Sequence, residues 1–489
     1  MRKSTMIILV LLVCCFWVSS WVAVAEETLD GHWEGAIQIA GTELIIMVNF
    51  ETNEEGLKAT IDIPQQGATG LALTNVRYEP SKVHFELQAG PGLAIFDGEL
   101  KDGTISGDFE QSGISGTFQL KRGEAMKEEP EPEEPLPYKE EEIRFQNEDI
   151  TLAGTLTLPL TSGPHPAVVL ITGSGAQNRD EELFGFRPFR IIADHFTRNG
   201  IAVLRYDDRG VGGSTGDVSQ STTEDFAGDV LAAVKLLQGR SDINPRQIGL
   251  LGHSEGGIVA PLAASRSEDI AFIILMAGTG VTGEKILQAQ LELIMRADGA
   301  TDAGIEKALE NQRRTFEAMR TGEGWDEIEA RIRQEILTSL EKMSKNQREA
   351  ITDVDQFVNS VVEQQLQSVQ SPWFKFFLDY DPVSALEEVT IPVLALFGEL
   401  DLQVPAEMNK EAIERALEET GNPDHTTIVL PKANHLFQTA ETGSPSEYAI
   451  LEKAFVPGFL DLIADWILER VDIAAVETGE AVCAEWLGS

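Results

Sequence analysis

The sequence predicts an α/β protein: a doubly wound, mainly parallel sheet with a helical cap, preceded by a small antiparallel all-β domain. Three observations carry the prediction. Between Gly31 and about Arg122 apolar residues recur with a period of two. From Ile143 onward, apolar strand-like runs alternate with amphipathic helical stretches, the pattern of parallel strands joined by crossover helices. Between residues 283 and 370 that alternation is broken by about ninety residues of helical pattern, far more than the dozen or so a crossover needs.

Residues 1–25 stand apart. Arg2 and Lys3 precede an apolar run from Met6 to Val18, and Ala23-Val24-Ala25 offers a small-x-small cleavage site. The run is short for a bilayer span, so the expectation is export to the periplasm or outside the cell, with cleavage after Ala25. No later segment is apolar enough to cross a membrane. Cys14 and Cys15 fall inside the removed segment, which leaves Cys483 alone and no internal disulfide. With 489 residues and 42% apolar content the chain has ample core for more than one domain. Its formal charge of −42 makes nucleic acid and anionic membrane surfaces poor partners. The oligomeric state is not legible.

Within the β domain, read as 26–122, Trp33, Gly35, Ile37 and Ile39 alternate with polar or small residues, as do Leu57, Ala59, Ile61 and Ile63. Leu44 to Val48 is a continuous apolar run, expected to be covered on both faces. About eight short strands separated by Gly, Asn, Asp and Ser turns predict a meander closed as a barrel or sandwich. Residues 123–142, rich in Glu and Pro, read as a solvated linker.

In the α/β domain, residues 143–470, Ala167 to Ile171 is a buried strand leading into Thr172-Gly173-Ser174-Gly175, and Phe189 to Asn199 is a helix. Ile201 to Leu204 is the next strand, followed by the polar turn from Asp207 to Ser214 and a helix starting near Thr223. Four helical stretches then make the cap: Ile286 to Arg296, Gly304 to Met319, Trp325 to Leu340 and Ile351 to Leu366. Trp373, Phe374 and Phe377 bring the chain back as an aromatic cluster, either packing cap on core or walling a pocket. The sheet resumes at Ile391 to Phe397. A helix over 406–419, a strand over 427–430 and a final helix near 448–470 complete the domain, and 471–489 is an acidic tail.

The chemistry concentrates in Gly252-His253-Ser254-Glu255-Gly256-Gly257. An apolar strand precedes it and a helix follows, the context in which G-x-S-x-G holds a serine exposed on a strained turn. The N–H of Glu255, at the helix N-terminus, is placed to face an oxyanion. A serine needs a base, and of seven histidines His435 alone sits in a loop just beyond the last strand, the side where open parallel sheets keep their sites. His253 adjoins the serine, with its side chain expected to point away. Asp401 follows the second-last strand and supplies the acid, with Glu399 as its rival. The second oxyanion donor falls to the N–H of Ser174, with Gly175 as the alternative. Asp207 and Asp208 read as turn formers beside Arg209, since no histidine or cysteine accompanies them as metal ligands.

On these stretches, together with Arg179-Asp180 and Asp208-Arg209-Gly210-x-Gly212-x-Ser214, residues 143–470 resemble the α/β-hydrolase superfamily, specifically bacterial esterases and serine aminopeptidase-like hydrolases with a helical cap. Thr172-Gly173 stands where that family usually has His-Gly. The resemblance implies a serine hydrolase acting through an acyl-enzyme on a small-molecule ester, with Ser254, Asp401 and His435 as its triad and with neither metal nor organic cofactor. An aminoacyl or peptide amide is the alternative substrate, bound through the cap's acidic residues. A third reading makes the β domain an envelope or ligand-binding module.

Overall fold

The computed structural model describes residues 28–471, apart from 40–41, 54–55, 64–67, 80, 89–92, 112–113, 124–135, 343–347, 349–350, 352 and 449. The export signal read over 1–25, all three cysteines, the centre of the linker and the tail from 472 lie outside the described residues.

The amino-terminal domain has nine antiparallel strands: β1 (Gly31–Ile39), β2 (Thr42–Asn53), β3 (Gly56–Ile63), β4 (Ala68–Ala72), β5 (Thr74–Glu79), β6 (Lys82–Gln88), β7 (Leu93–Lys101), β8 (Thr104–Gln111) and β9 (Ile114–Arg122). Their order is β4-β3-β2-β1-β9-β8-β7-β6-β5, so the first and last strands pair at the middle of the sheet. β3 and β5, from opposite ends of that order, touch. The sheet is thereby curled nearly into a barrel. Its one core faces inward: Phe85 stacks on Phe96 at 4.5 Å, and Phe50 and Phe118 meet Phe85 edge-on at 5.8 and 5.7 Å. Trp33 is buried with them and donates its indole N–H to the Leu29 carbonyl at 2.8 Å, while the Arg122 guanidinium covers the ring at 4.6 Å. The curl brings backbones close enough that a Cβ on Gly35 would lie 1.8 Å from the Gln119 carbonyl. A single layer has one covered face, and the expectation for 44–48 fails for that reason. Ile46 and Val48 are buried, but Ile45, on the opposite face, is 43% exposed.

The second domain is an eight-stranded sheet of β10 (Tyr138–Asn147), β11 (Ile150–Pro159), β12 (His165–Ile171), β13 (Ala202–Tyr206), β14 (Ile243–His253), β15 (Phe272–Met276), β16 (Val393–Gly398) and β17 (His425–Leu430). The order is β10-β11-β13-β12-β14-β15-β16-β17; β10, β11 and β13 pair antiparallel, and every pair from β13 to β17 is parallel. Separate apolar clusters cover its two faces, so the central strands are buried on both sides. β10 begins inside the segment read as linker. Glu140, Glu141 and Glu142 tolerate an edge strand because each meets an arginine, Arg205 at 3.3 Å, Arg240 at 2.9 Å and Arg179 at 2.7 Å.

Helices α1 (Pro188–Arg198), α2 (Thr223–Gln238) and α3 (Gly256–Ala264) link the early strands. α2 starts on a reciprocal cap, with Thr222 accepting from the Asp225 N–H while the Asp225 carboxylate accepts from the Thr222 N–H. The cap contains α4 (Gly283–Ala297), α5 (Asp302–Thr321), α6 (Trp325–Lys342) and α7 (Val354–Gln370), with a small core of its own around Ile328, Ile332, Val358 and Val362. The aromatic return segment is a further helix, α8 (Pro372–Asp379), so the helical insertion runs past 370. α9 (Ala406–Thr420) and α10 (Phe459–Leu468) complete the domain. The last helix starts later than the sequence pattern indicated because Pro457 and Gly458, at φ +81°, interrupt it.

Truncation of Phe85 to Ala should open a cavity at the centre of the β domain and cost about 3–5 kcal/mol. Chemical unfolding followed by intrinsic fluorescence reads this as a lowered midpoint.

Candidate active site

β14 runs straight into α3, and Ser254 sits at the junction with φ +53°, a left-handed backbone that costs a non-glycine residue about 1–2 kcal/mol. Two things hold it there. Its N–H donates to the Met276 carbonyl on the neighbouring strand at 2.8 Å, and the flanking glycines allow backbones to close around it. A Cβ on Gly252 would lie 1.9 Å from the Gly256 carbonyl, one on Gly256 2.2 Å from the Ile171 carbonyl, and one on Gly257 2.5 Å from the Gly278 Cα. The glycines are therefore demanded by space, and the serine alone carries the strained torsion.

Asp401 follows β16 and is buried. One of its oxygens accepts the N–H groups of Gln403 and Val404, both at 2.8 Å, and the other lies 2.8 Å from Nδ1 of His435. Both side chains are almost fully enclosed, at 0% and 7% exposure. A carboxylate so placed accepts the Nδ1–H and leaves Nε2 as the free basic nitrogen. His435 rides a loop shaped by Asn434, whose side-chain oxygen accepts from the Leu436 and Gln438 N–H groups at 3.0 and 2.9 Å. Glu399, the rival acid, is exposed and caps the Lys432 N–H instead.

The loop after β12 is tied down at several points. Thr172 donates its hydroxyl to Asp208 at 2.7 Å, and the Gln177 N–H donates to the same carboxyl group at 2.8 Å. Burial pushes the Asp208 carboxyl well above the usual carboxylate range. Asp207 clamps the Arg179 guanidinium through both oxygens, at 3.0 and 2.8 Å, and also takes the Arg179 N–H. These aspartates thus do more than form a turn. Arg209 pairs elsewhere, with Asp229 at 2.7 and 2.9 Å. The Gly173 N–H is taken by Glu181 at 2.6 Å. The hydrogen bonds of the described residues leave the N–H groups of Ser174 and Glu255 uncommitted.

Ser174, Ser254, Glu255 and His435 share the wall of one cavity of about 270 Å³. Ile286, Leu287 and Gln290 of α4, with Trp373 and Phe377 of α8, roof it. Phe374 does not reach it; that ring turns toward Phe316 of the cap, at 6.2 Å. An i, i+4 pair on a short helix shares a face, and the residue next to Trp373 cannot share it. The sequence reading used only the main chain of Glu255. Its buried carboxylate also accepts from Thr223 at 2.6 Å and from the Trp373 indole at 2.7 Å, fastening the roof to the Ser254 turn. Burial raises this carboxyl above its usual range even with those donors. His253, expected to point away, lines the same cavity. Among the described residues no cluster of three or more His, Cys, Asp or Glu side chains is arranged to hold a metal ion.

With this geometry in hand, the chain compares with known proteins as follows. It is 28% identical over 371 residues to Esterase EstD of Thermotoga maritima, an alignment covering 74% of this chain and 78% of that protein. It is 30% identical over 133 residues to an uncharacterized protein of Mycobacterium tuberculosis, covering 27% of this chain and 44% of the relative. Among solved structures, a Pyrococcus furiosus esterase aligns at 17% identity and a TM-score of 0.39, over 60% of this chain and 84% of that one. A family model for the alpha/beta hydrolase family matches residues 168–449, more than half of the sequence, and by that match the chain belongs to the alpha/beta hydrolase family.

Proposed function

We propose that this hydrolase cleaves carboxylic esters of small molecules through an acyl-enzyme formed on Ser254. The observation that carries the reading is the convergence, on one cavity, of a serine strained at φ +53° and a buried Asp401–His435 pair. As Ser254 Oγ attacks the ester carbonyl carbon, Nε2 of His435 takes the hydroxyl proton. Asp401 accepts the Nδ1–H throughout and stabilises the imidazolium. The carbonyl oxygen becomes an oxyanion facing the N–H groups of Glu255 and Ser174, at the positive end of α3. The tetrahedral intermediate then collapses; the bond to the alcohol oxygen breaks, and His435 returns the proton to it. Water, deprotonated by His435, attacks the acyl carbon and releases the acid and free Ser254.

The named relative is an esterase, which supports an ester over an amide. The roof supports it too. Among the described residues the cap contributes only uncharged side chains to the cavity wall, so no acidic cap residue is placed there to hold a substrate α-amine. Residues 1–25 carry the features of an export signal, and we read the mature chain as periplasmic or extracellular.

On matched chromogenic substrates, a short-chain acyl ester and an aminoacyl anilide, the protein should turn over the ester and leave the anilide intact. Ser254→Ala should abolish the ester signal; anilide cleavage equal to or above ester cleavage would replace the reading with a peptidase. Asp401→Asn should lower kcat by about 10⁴-fold, because the wrong imidazole tautomer then faces Ser254. Intact mass of the exported protein should begin at Glu26; retention of residue 1 would remove the export reading.

A further inference from the structure

Glu181 and His253 line the cavity, are 2% and 4% exposed, and have no role in the mechanism. Nε2 of His253 lies 3.0 Å from the main-chain carbonyl of His435, and Nδ1 lies 2.9 Å from Oε1 of Glu181. A carbonyl oxygen only accepts, so Nε2 carries a hydrogen. Oε1 of Glu181 already accepts the Gly173 N–H at 2.6 Å, and Nδ1 presents it with a second hydrogen. Both ring nitrogens are donors in this arrangement, which is the imidazolium form. Burial disfavours that charge, but Glu181, beside the ring and hydrogen-bonded to it, together with the His435 carbonyl and Asp401, outweighs burial and raises the pKa of His253. The other ionisable groups facing the ring are His435, with ring centres 4.8 Å apart, and Asp401 beyond it. The second Glu181 oxygen is buried with no hydrogen-bond partner among the described residues.

Three separate segments meet in this pair. Gly173 precedes Ser174, the proposed oxyanion donor; His253 precedes Ser254 on β14; the carbonyl belongs to His435 itself. These segments are far apart in sequence; main-chain pairing holds β12 beside β14, and beyond the strand ends Glu181 and His253 add side-chain ties between the loops. We propose that Glu181 and His253 form a buried ion pair that positions the active site, His253 holding the His435 loop and Glu181 holding the oxyanion loop, both against the strand that carries Ser254. Neither residue exchanges a proton with substrate; they are positioning residues. The kinetic part of this inference rests on the esterase reading, and the charge state of His253 does not.

The test uses the full mature chain and three variants, His253→Gln, His253→Ala and Glu181→Gln. In His253→Ala, kcat on the short-chain ester should fall by about 10²-fold with KM little changed, the effect of misplacing reacting groups by about 1 Å. His253→Gln keeps an amide donor for the His435 carbonyl and should recover a measurable part of that loss. The pKa of His253 is raised in the folded protein, so the ion pair is present below that pKa and is lost as pH rises through it. In Glu181→Gln the imidazolium lacks its counter-ion, and the alkaline fall of kcat should move to lower pH. Nitrogen-15 spectra of histidine-labelled protein, followed across pH, should show one imidazole that keeps both nitrogens protonated to higher pH than an ordinary histidine. That signal should vanish in His253→Gln. A His253 that loses its second proton at or below the ordinary histidine pKa overturns the proposal, as does a His253→Ala enzyme with parental kcat and pH profile. If the alanine variant does not fold, the glutamine variants decide. If the parent has no ester turnover, the esterase reading fails while the spectra still decide the ion pair.

Discussion

The crowding of backbones around Ser254 is the constraint on which the rest of this active site depends. The end of β14 and the first turn of α3 press against the ends of β12 and β15 so closely that positions 252, 256 and 257 have no room for a Cβ. This crowding holds a serine in a left-handed conformation that it would only rarely adopt in an unfolded chain. It also fixes the direction of the hydroxyl and starts a helix whose N–H groups face the same space. The strained torsion of Ser254 and the position of the start of α3 follow from one packing arrangement.

Around that turn the protein uses buried carboxylates as fasteners, and each has its charge or its lone pairs satisfied differently. Asp207 is neutralised by a two-pronged arginine, Asp401 by two main-chain N–H groups and an imidazole, and Glu255 by a hydroxyl and an indole. Burial raises the carboxyl groups of Asp208 and Glu255 above the usual carboxylate range, and each ties a loop or the cap to the sheet. A side chain that bridges two segments fixes their spacing to within a hydrogen bond, which apolar packing alone does less sharply. The chain's large surplus of acidic residues is therefore two populations. Most lie on solvated surfaces, and a few stand at the junctions of the active site.

The roof and the floor of the cavity are joined through Glu255, the residue that follows Ser254. Trp373 reaches from α8 to the Glu255 carboxylate, while its ring stacks on Phe377 at 5.0 Å. The cap has its own small core, but its contact with the chemistry runs through this helix and α4. The aromatic cluster thus serves as packing and as pocket wall at once, with Phe374 given wholly to packing.

What the sequence by itself determined is whatever is local or periodic. The alternation in residues 31–122, the buried strands, the helical block and the strand–serine–helix turn are legible because side-chain direction repeats at 2.0 or 3.6 residues and glycine marks crowded backbone. Asp401 and His435 could also be nominated, since strand order restricts which loops reach the same edge of the sheet. What only the tertiary structure decided is which distant side chains meet. Glu140 to Glu142 looked like linker because their arginines lie tens of residues away. The work of Asp207 and Asp208, the carboxylate of Glu255 and the pairing of Glu181 with His253 left no periodic signal. Such contacts join residues separated by 28 to 118 positions, and no local propensity records a partner that only the folded sheet brings near.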